Sequence, residues 1–277
     1  MLNLYARFRG LAALAPSLPA AGALLSALLL LSSCATPPPA DDPEAVQEFK
    51  EINDPLEPTN RTMFAVHEAV DQAVLQPVAE AYRALLPEPI RNGVRNMLGN
   101  LRTPVILTGD MLQGNLDRAR KTLGRFMVNS TIGLGGVVDV SRDLGVHGHS
   151  EDTGQTLAVW GAGEGFYLFV PLLGPSNPRD LLGFGTDIVI NPTTWIGQGQ
   201  LLDAWNYTRL GLTVVDTREA LLDPINAVRA SSLDPYATLR SAYRQRRAFE
   251  IQNRDGPAGS VAPAGGAGFG QGVMEPR

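Results

Sequence analysis

Asn115-Leu116-Asp117-Arg118-Ala119-Arg120-Lys121-Thr122-Leu123-Gly124-Arg125-Phe126-Met127-Val128-Asn129-Ser130 decides the fold class, because its residues recur at helical spacing and at no other. Asn115 can cap the first turn, and Leu116, Ala119, Leu123, Phe126 and Met127 then fall within roughly 100° of one another on a helical wheel. Arg118, Lys121 and Arg125 lie on the opposite face. That face reads as a solvated surface or as a contact for the phosphates of lipid headgroups.

The same period extends in both directions. Upstream, Thr59 to Leu75 reads as a helix stopped by Pro77. Pro89 suits a first turn, with Ile90, Val94, Met97 and Leu101 following at helical spacing, and Pro104 to Gln113 reads as a separate helix. Downstream, Ile132 to Gly148 holds Gly133, Gly135, Gly136, Gly145 and Gly148, a density that predicts a loop or hinge. Thr153 to Trp160, capped by Asp152, then Pro178 to Ile190, Leu201 to Leu222 and Pro235 to about Asn253 again predict helices. On Leu201 to Leu222, Tyr207, Leu210, Val214, Val215, Leu221 and Leu222 face one way while Trp205 and Leu212 point elsewhere, as in a helix with two apolar contacts. The apolar run Gly165 to Pro175 is too short to span a bilayer as a helix; it reads as a buried core segment or as a re-entrant one. Few stretches alternate with period two, which argues against a transmembrane β-barrel. The fold class is all-α.

The ends of the chain carry the compartment. Of its 277 residues 44% are hydrophobic and only 18% charged, against about 25% charged in ordinary soluble domains. Arg7 and Arg9 precede the apolar run Ala20 to Leu31, which leads through Ser32 and Ser33 into Cys34. A positive start, a short apolar core and small residues at the exit make a secretory signal over residues 1–33. Cys34 is the chain's one cysteine, placed where bacterial lipoprotein signals put the residue that becomes acylated. One cysteine cannot form an intrachain disulfide. Ala35, rather than the aspartate that retains lipoproteins at the inner membrane, predicts export to the outer membrane. Residues 34–40, with Pro37, Pro38 and Pro39, read as a stiff linker behind the anchor. Residues 41–254 read as the folded region, and 255–277, rich in Gly, Ala and Pro, as a disordered tail. A net charge of −5 does not suit a sequence-blind nucleic-acid binder. The acidity is segregated: seven acids against Lys50 between Asp41 and Pro58, and five arginines against Glu250 between Pro235 and Arg254.

Catalytic signatures are sparse. There is no His-Glu-x-x-His helix and no phosphate-binding Gly-x-x-x-x-Gly-Lys loop. Gly148-His149-Ser150-Glu151-Asp152 begins like a nucleophile elbow, but Asp152 stands where a glycine is needed. Gly161, Gly163 and Gly165 lack the spacing of a dinucleotide loop. His147, His149, Glu151 and Asp152 could converge on a metal ion, which leaves a metal-dependent hydrolase using His147, His149 and Glu151 as a reading beside a non-enzymatic one that needs neither metal nor cofactor.

A set of ordered motifs adds what spacing cannot. Asp54-Pro55-Leu56-Glu57-Pro58-x-Asn60-Arg61 resembles the opening motif of the MlaA/VacJ family of outer-membrane lipoproteins. The likeness continues through Pro77-Val78-Ala79, Asn100-Leu101, Leu112-Gln113-Gly114, Arg125-Phe126-x-x-Asn129-Ser130-Thr131-Ile132-Gly133, Glu151-Asp152-x-Gly154-Gln155-Thr156-Leu157 and Pro171-Leu172-Leu173-Gly174-Pro175-Ser176. It is dense over residues 50–190, in register with the lipobox, and departs at His67, Thr153 and Phe166, where the family commonly has asparagine, phenylalanine and proline. The resemblance implies a ring-like bundle of amphipathic helices lying in the inner leaflet of the outer membrane, periplasm-facing and pierced by an amphipathic pore. It also implies retrograde phospholipid transport, with phospholipids as cargo and a porin trimer and a periplasmic phospholipid carrier as partners. A structural lipoprotein that clamps porins is the other non-enzymatic reading. Gly133, Gly135 and Gly136 are then candidates for a hinge or gate, and Asn129 and Ser130 for polar lining or a helix cap.

Overall fold

The computed structural model describes residues 52–195 and 200–252, together with positions 39, 42, 44, 46 and 49, and no side chains over 196–203. The signal, Cys34, most of the linker and the tail over 255–277 lie outside the described residues. The chain divides into two compact units, residues 1–60 and 61–277. In the first, Asn60 donates through Nδ2 to Asp54 Oδ1 at 2.8 Å, and both side chains are buried.

The described residues are almost entirely helical, as the periodicity predicts. Helix α1 (Glu57–Val70) does not stop at Pro77; it passes through a π-helical segment, Asp71–Leu75, into α2 (Gln76–Leu85). Proline has no N–H to donate back, and the wider turn in front of it, closed by the Gln76 amide on the Asp71 carbonyl, lets the helix continue where sequence places its end. Likewise α3 (Glu88–Leu112) is one helix with Pro104 inside it, not two. α4 (Leu116–Thr131) follows, capped by Asn115 through the Arg118 amide. The expected loop Ile132 to Gly148 contains a helical turn, α5 (Val140–Asp143), capped by Asp139, and α6 (Thr153–Val159) starts on Asp152 as expected.

The apolar run Gly165 to Pro175 forms a hairpin of β1 (Leu168–Val170) and β2 (Gly174–Ser176), antiparallel with Phe169 opposite Pro175. α7 (Pro178–Ile190) is capped by Asn177 and leads into a short 3-10 turn. The next helix is broken near Leu221: α8 (Gln200–Ala220) gives way to α9 (Leu222–Ser231), because Pro224 fits a first turn and not an interior. α10 (Pro235–Ile251) is capped by Asp234. Within the second unit α3 packs on α4, α2 on α8, and α6 on both α7 and α10.

A small aromatic core of Tyr167, Phe169, Tyr236 and Tyr243, with Met63 and Phe64 against it, joins the hairpin to α10. The Phe64 and Phe169 rings meet edge to face at 5.4 Å. Tyr167 and Phe169 make this run a core segment, while Leu172 at its tip is exposed. Elsewhere the usual order of burial is reversed. Among the described residues, buried polar and charged side chains outnumber buried apolar ones, and large apolar side chains are exposed along nearly every helix. No described helix is long and apolar enough to cross a membrane.

Candidate functional site

The stretch that fixed the fold class shows the reversal most plainly. On α4 three residues of the apolar stripe face outward, Leu116 and Met127 each 60% exposed and Leu123 45%, while Ala119 of the same stripe and Arg118 are buried at 7% and 8%. Neither reading of the basic face holds for Arg118 and Arg125, which are internal ion-pair partners; Lys121 alone stays outside. The outward valines Val66, Val70, Val74 and Val78 repeat the pattern on α1 and α2, and Tyr207, Leu210 and Val214 on α8.

The polar interior is organised in connected clusters. In the first, Arg118 donates to Glu151 Oε1 at 2.7 Å and Gln113 to Oε2 at 2.7 Å, with Glu151 1% exposed. Burial pushes the Glu151 carboxyl up to about 7, although the Gln113 hydrogen bond and the Arg118 charge pull it down. Beside it Asp110 accepts from Thr122 at 2.6 Å and meets His149 Nε2 at 2.8 Å. Asp110, His149 and Glu151 place one ligand atom each within 4.8 Å of one another. Of the four residues that the sequence offers as a possible metal set, His149 and Glu151 belong to this group, whereas His147, which is exposed, and Asp152 lie outside it, and Asp110 joins instead. The donor set fits a metal poorly, because a guanidinium and an amide already hold Glu151 and a hydroxyl holds Asp110.

A second cluster forms around Asn129. Its Nδ2 donates to Asp139 at 2.8 Å and its Oδ1 accepts from the Ser141 amide at 3.0 Å. Arg125 grips both Asp139 oxygens at 2.9 Å; burial alone would raise this carboxyl, but the Arg125 and Asn129 hydrogen bonds hold it below its ordinary value. Asn100 donates to Ser130 Oγ at 2.9 Å and to the Gly135 carbonyl at 3.3 Å. The glycines expected as a hinge are required here by geometry. Gly136 sits at φ +95°, where a methyl group would lie 2.7 Å from Asn100 Cγ, and one on Gly133 would lie 2.6 Å from the Asn129 carbonyl. Gly135 has φ +73° and open space around it.

The third cluster explains Gly154, Gln155 and Thr156. Asp152 accepts from the Gln155 amide at 2.8 Å and from Arg247 at 2.7 Å, and Arg247 also meets Asp180 at 2.8 Å. Burial disfavours the Asp152 carboxylate, yet Arg247 keeps it well below the usual range. Tyr243 and Asn177 complete the ring of donors on Asp180. A methyl on Gly154 would lie 2.8 Å from Asp180, and one on Gly183 only 2.6 Å from the Gly154 Cα, so α6 and α7 cross backbone to backbone. Thr156 approaches Gln113 at 3.2 Å, linking this cluster to the first. Two further sets tie α8 and α9 inward: Asp71 with Arg218 and Arg229, and Asp216 and Glu219 with Arg95, Arg91 and Arg83.

Of the other expected site residues, Asp54 and Asn60 bond to each other, Pro55 and Glu57 belong to the turn that opens α1, and Arg61 pairs with Asp234 at 2.6 Å and covers the Tyr236 ring. Asp110 and Arg247 are not among the residues that the sequence singles out for a site. Their signal is a carboxylate or guanidinium on a helix whose remaining face is apolar, which reads as ordinary amphipathicity until the direction of burial is known.

A family model described as "MlaA lipoprotein" matches residues 52–250. Among curated proteins, the intermembrane phospholipid transport system lipoprotein MlaA of Escherichia coli (strain K12) is 34% identical over 201 residues, covering 71% of this chain and 78% of that protein. Its namesake in Haemophilus influenzae is 31% identical over 211 residues, covering 75% and 82%. A Rickettsia bellii protein is 33% identical over 204 residues, covering 73% and 78%. A solved structure from work on the "Structural basis for maintenance of bacterial outer membrane lipid asymmetry" superposes with a TM-score of 0.61 at 32% identity, over 72% of this chain and 98% of the other.

Proposed function

Because the chain belongs to the MlaA lipoprotein family, we propose that it serves intermembrane phospholipid transport as an outer-membrane lipoprotein, removing mislocalised phospholipids from the outer leaflet and returning them towards the inner membrane. In this reading acyl chains on Cys34 anchor it in the inner leaflet, facing the periplasm, and its helices lie in the membrane as a ring around an amphipathic pore. A trimeric porin holds it, and a periplasmic carrier receives the lipid. The names of its relatives support the general role.

The observation that carries the rest is the reversed burial: apolar side chains outside, arginine–carboxylate clusters inside. Outward leucines and valines suit a hydrocarbon surrounding. Moving a phospholipid across a bilayer drags its headgroup through hydrocarbon, where an unpaired charge costs several kcal/mol, of order 2.5–3.5 at the centre. A polar interior beside apolar walls lowers that barrier without making or breaking a bond, so no enzymatic step, metal or cofactor is needed. The gate in this proposal is Gly133 to Gly136 with the segment to Glu151, and its opening has to release the two hydrogen bonds of Asn100.

Reconstitution tests the proposal: the acylated chain in porin-containing vesicles should pass phospholipid to the purified carrier. Deletion should let phospholipid accumulate in the outer leaflet and weaken the barrier to detergent. A chain that co-purifies with porin yet moves no lipid would leave the structural reading standing and sink the transport one.

A further inference from the structure

Several buried polar atoms of the described residues have no hydrogen-bond partner, single arginine nitrogens among them, but Arg118, Arg218 and Arg247 meet a carboxylate through their other nitrogens; α8 holds two such atoms on neighbouring residues outside those clusters. Asn206, Arg209, Thr213 and Asp216 are spaced three, four and three apart and share one face. At the lower end Asp216 meets Arg95 and Tyr82, and the Thr213 hydroxyl donates to the Arg209 carbonyl. At the upper end Asn206 Oδ1 and Arg209 Nε are both shielded from solvent and have no hydrogen-bond partner. Burial alone lowers the Arg209 pKa, with no carboxylate contributing. Arg118, Arg218 and Arg247 each meet a carboxylate, so a half-buried guanidinium without one departs from the rule of this interior. A buried polar atom without a partner is costly, and a water molecule or the polar group of a ligand answers it. Tyr207, 73% exposed, lies across α8 from Arg209 and Asp216, and Leu210, 61% exposed, stands one turn beyond Asn206 at the edge of the polar face, an apolar border that suits acyl chains.

We propose that Asn206 and Arg209 form a headgroup subsite for a phospholipid bearing a hydrogen-bond donor. This deepens the transport reading and rests on it. Arg209 Nε–H supplies a donor for a phosphodiester oxygen, and Asn206 Oδ1 an acceptor for an N–H or O–H near that phosphate. Phosphoethanolamine carries both groups, and phosphoglycerol offers hydroxyls. Phosphocholine has the phosphate, but its quaternary nitrogen carries no hydrogen to give Asn206. The subsite therefore ranks ethanolamine lipids above choline lipids.

The test is titration of the full chain in phosphate-free maltoside detergent with dihexanoyl phosphatidylethanolamine, dihexanoyl phosphatidylcholine and inorganic phosphate, read by calorimetry and by the fluorescence of neighbouring Trp205. The ethanolamine lipid should bind more tightly than the choline lipid. Arg209→Gln should weaken both about tenfold, as expected for one charge-assisted hydrogen bond, and Arg209→Lys should restore most of the loss. Asn206→Leu should bring the ethanolamine lipid down to the choline lipid and leave the latter unchanged. Without lipid, Arg209→Gln should melt no lower than the parent, since it removes an unpaired charge. Unchanged lipid affinity in Arg209→Gln, or no preference in the parent, overturns the subsite. Inorganic phosphate binding as tightly as lipid overturns the headgroup assignment, and a lower melt accompanying lost binding marks a structural arginine and overturns it too. Transport that persists while binding is insensitive to Arg209 sinks the subsite alone; a parent chain that binds both lipids as ranked yet moves none sinks the transport reading alone.

Discussion

Glu151 is the residue where burial and pairing oppose each other most directly. Its carboxyl lies between Arg118 and Gln113, and burial still moves its pKa from 4.5 up to about 7. An acid whose folded-state pKa is raised contributes stability that is full below the unfolded value and is lost as pH rises through the folded one. Melting of the parent relative to Glu151→Gln should therefore fall between pH 5 and pH 8, because the amide cannot ionise. A difference that stays flat over that window would show that Arg118 keeps Glu151 charged throughout. At this scale two caps were legible, since Asn115 and Asp152 accept from the amide three residues on, as their sequence positions predict; Asp234 caps α10 in the same way. The interior ion pairs were not, because they join residues far apart in sequence and no local pattern announces them.

At the scale of one helix, periodicity fixes that α4 has two faces and is silent on which faces inward. In water the apolar face is the buried one; here Thr122 and Asn129 are buried and Leu116 and Met127 exposed. The ranking of substitutions should invert accordingly. Leu123→Ser should change stability in detergent by no more than about 0.5 kcal/mol while reducing partition into lipid vesicles. Thr122→Val leaves the buried Asp110 short of a hydrogen bond and should cost about 1–3 kcal/mol. Denaturation in maltoside, compared with vesicle flotation, separates the two; a helix oriented as in water gives the opposite order. The same gap between pattern and context explains Pro77 and Pro104: a local stop signal is overridden where a wider turn or tertiary packing accommodates the missing N–H.

Over the whole molecule, the all-helical class and most helix positions were readable, the end of α8 near Leu222 included, whereas the hairpin in Gly165 to Pro175 depends on long-range packing and the short helix α9 was not read. Arg247 acts at this scale, reaching 95 residues back to Asp152 and also to Asp180. Arg247→Ala strands two interior carboxylates and should cost about 3–5 kcal/mol. Arg120→Ala removes only a pair exposed on both sides and should cost almost nothing, so chemical denaturation of the two variants should differ widely. Equal stabilities would mean that the pairs holding α10 to α6 and α7 are ornamental. The crossing of Gly154 against Gly183 has a mechanical consequence. With no side chain between them the two backbones have no lubricating layer, so α6 and α7 cannot slide past each other and turn only as one stiff lever. If the chain moves phospholipid as proposed, the motion that admits a bulky amphiphile belongs to segments beyond that weld, and a cross-link between α6 and α7 should leave throughput untouched.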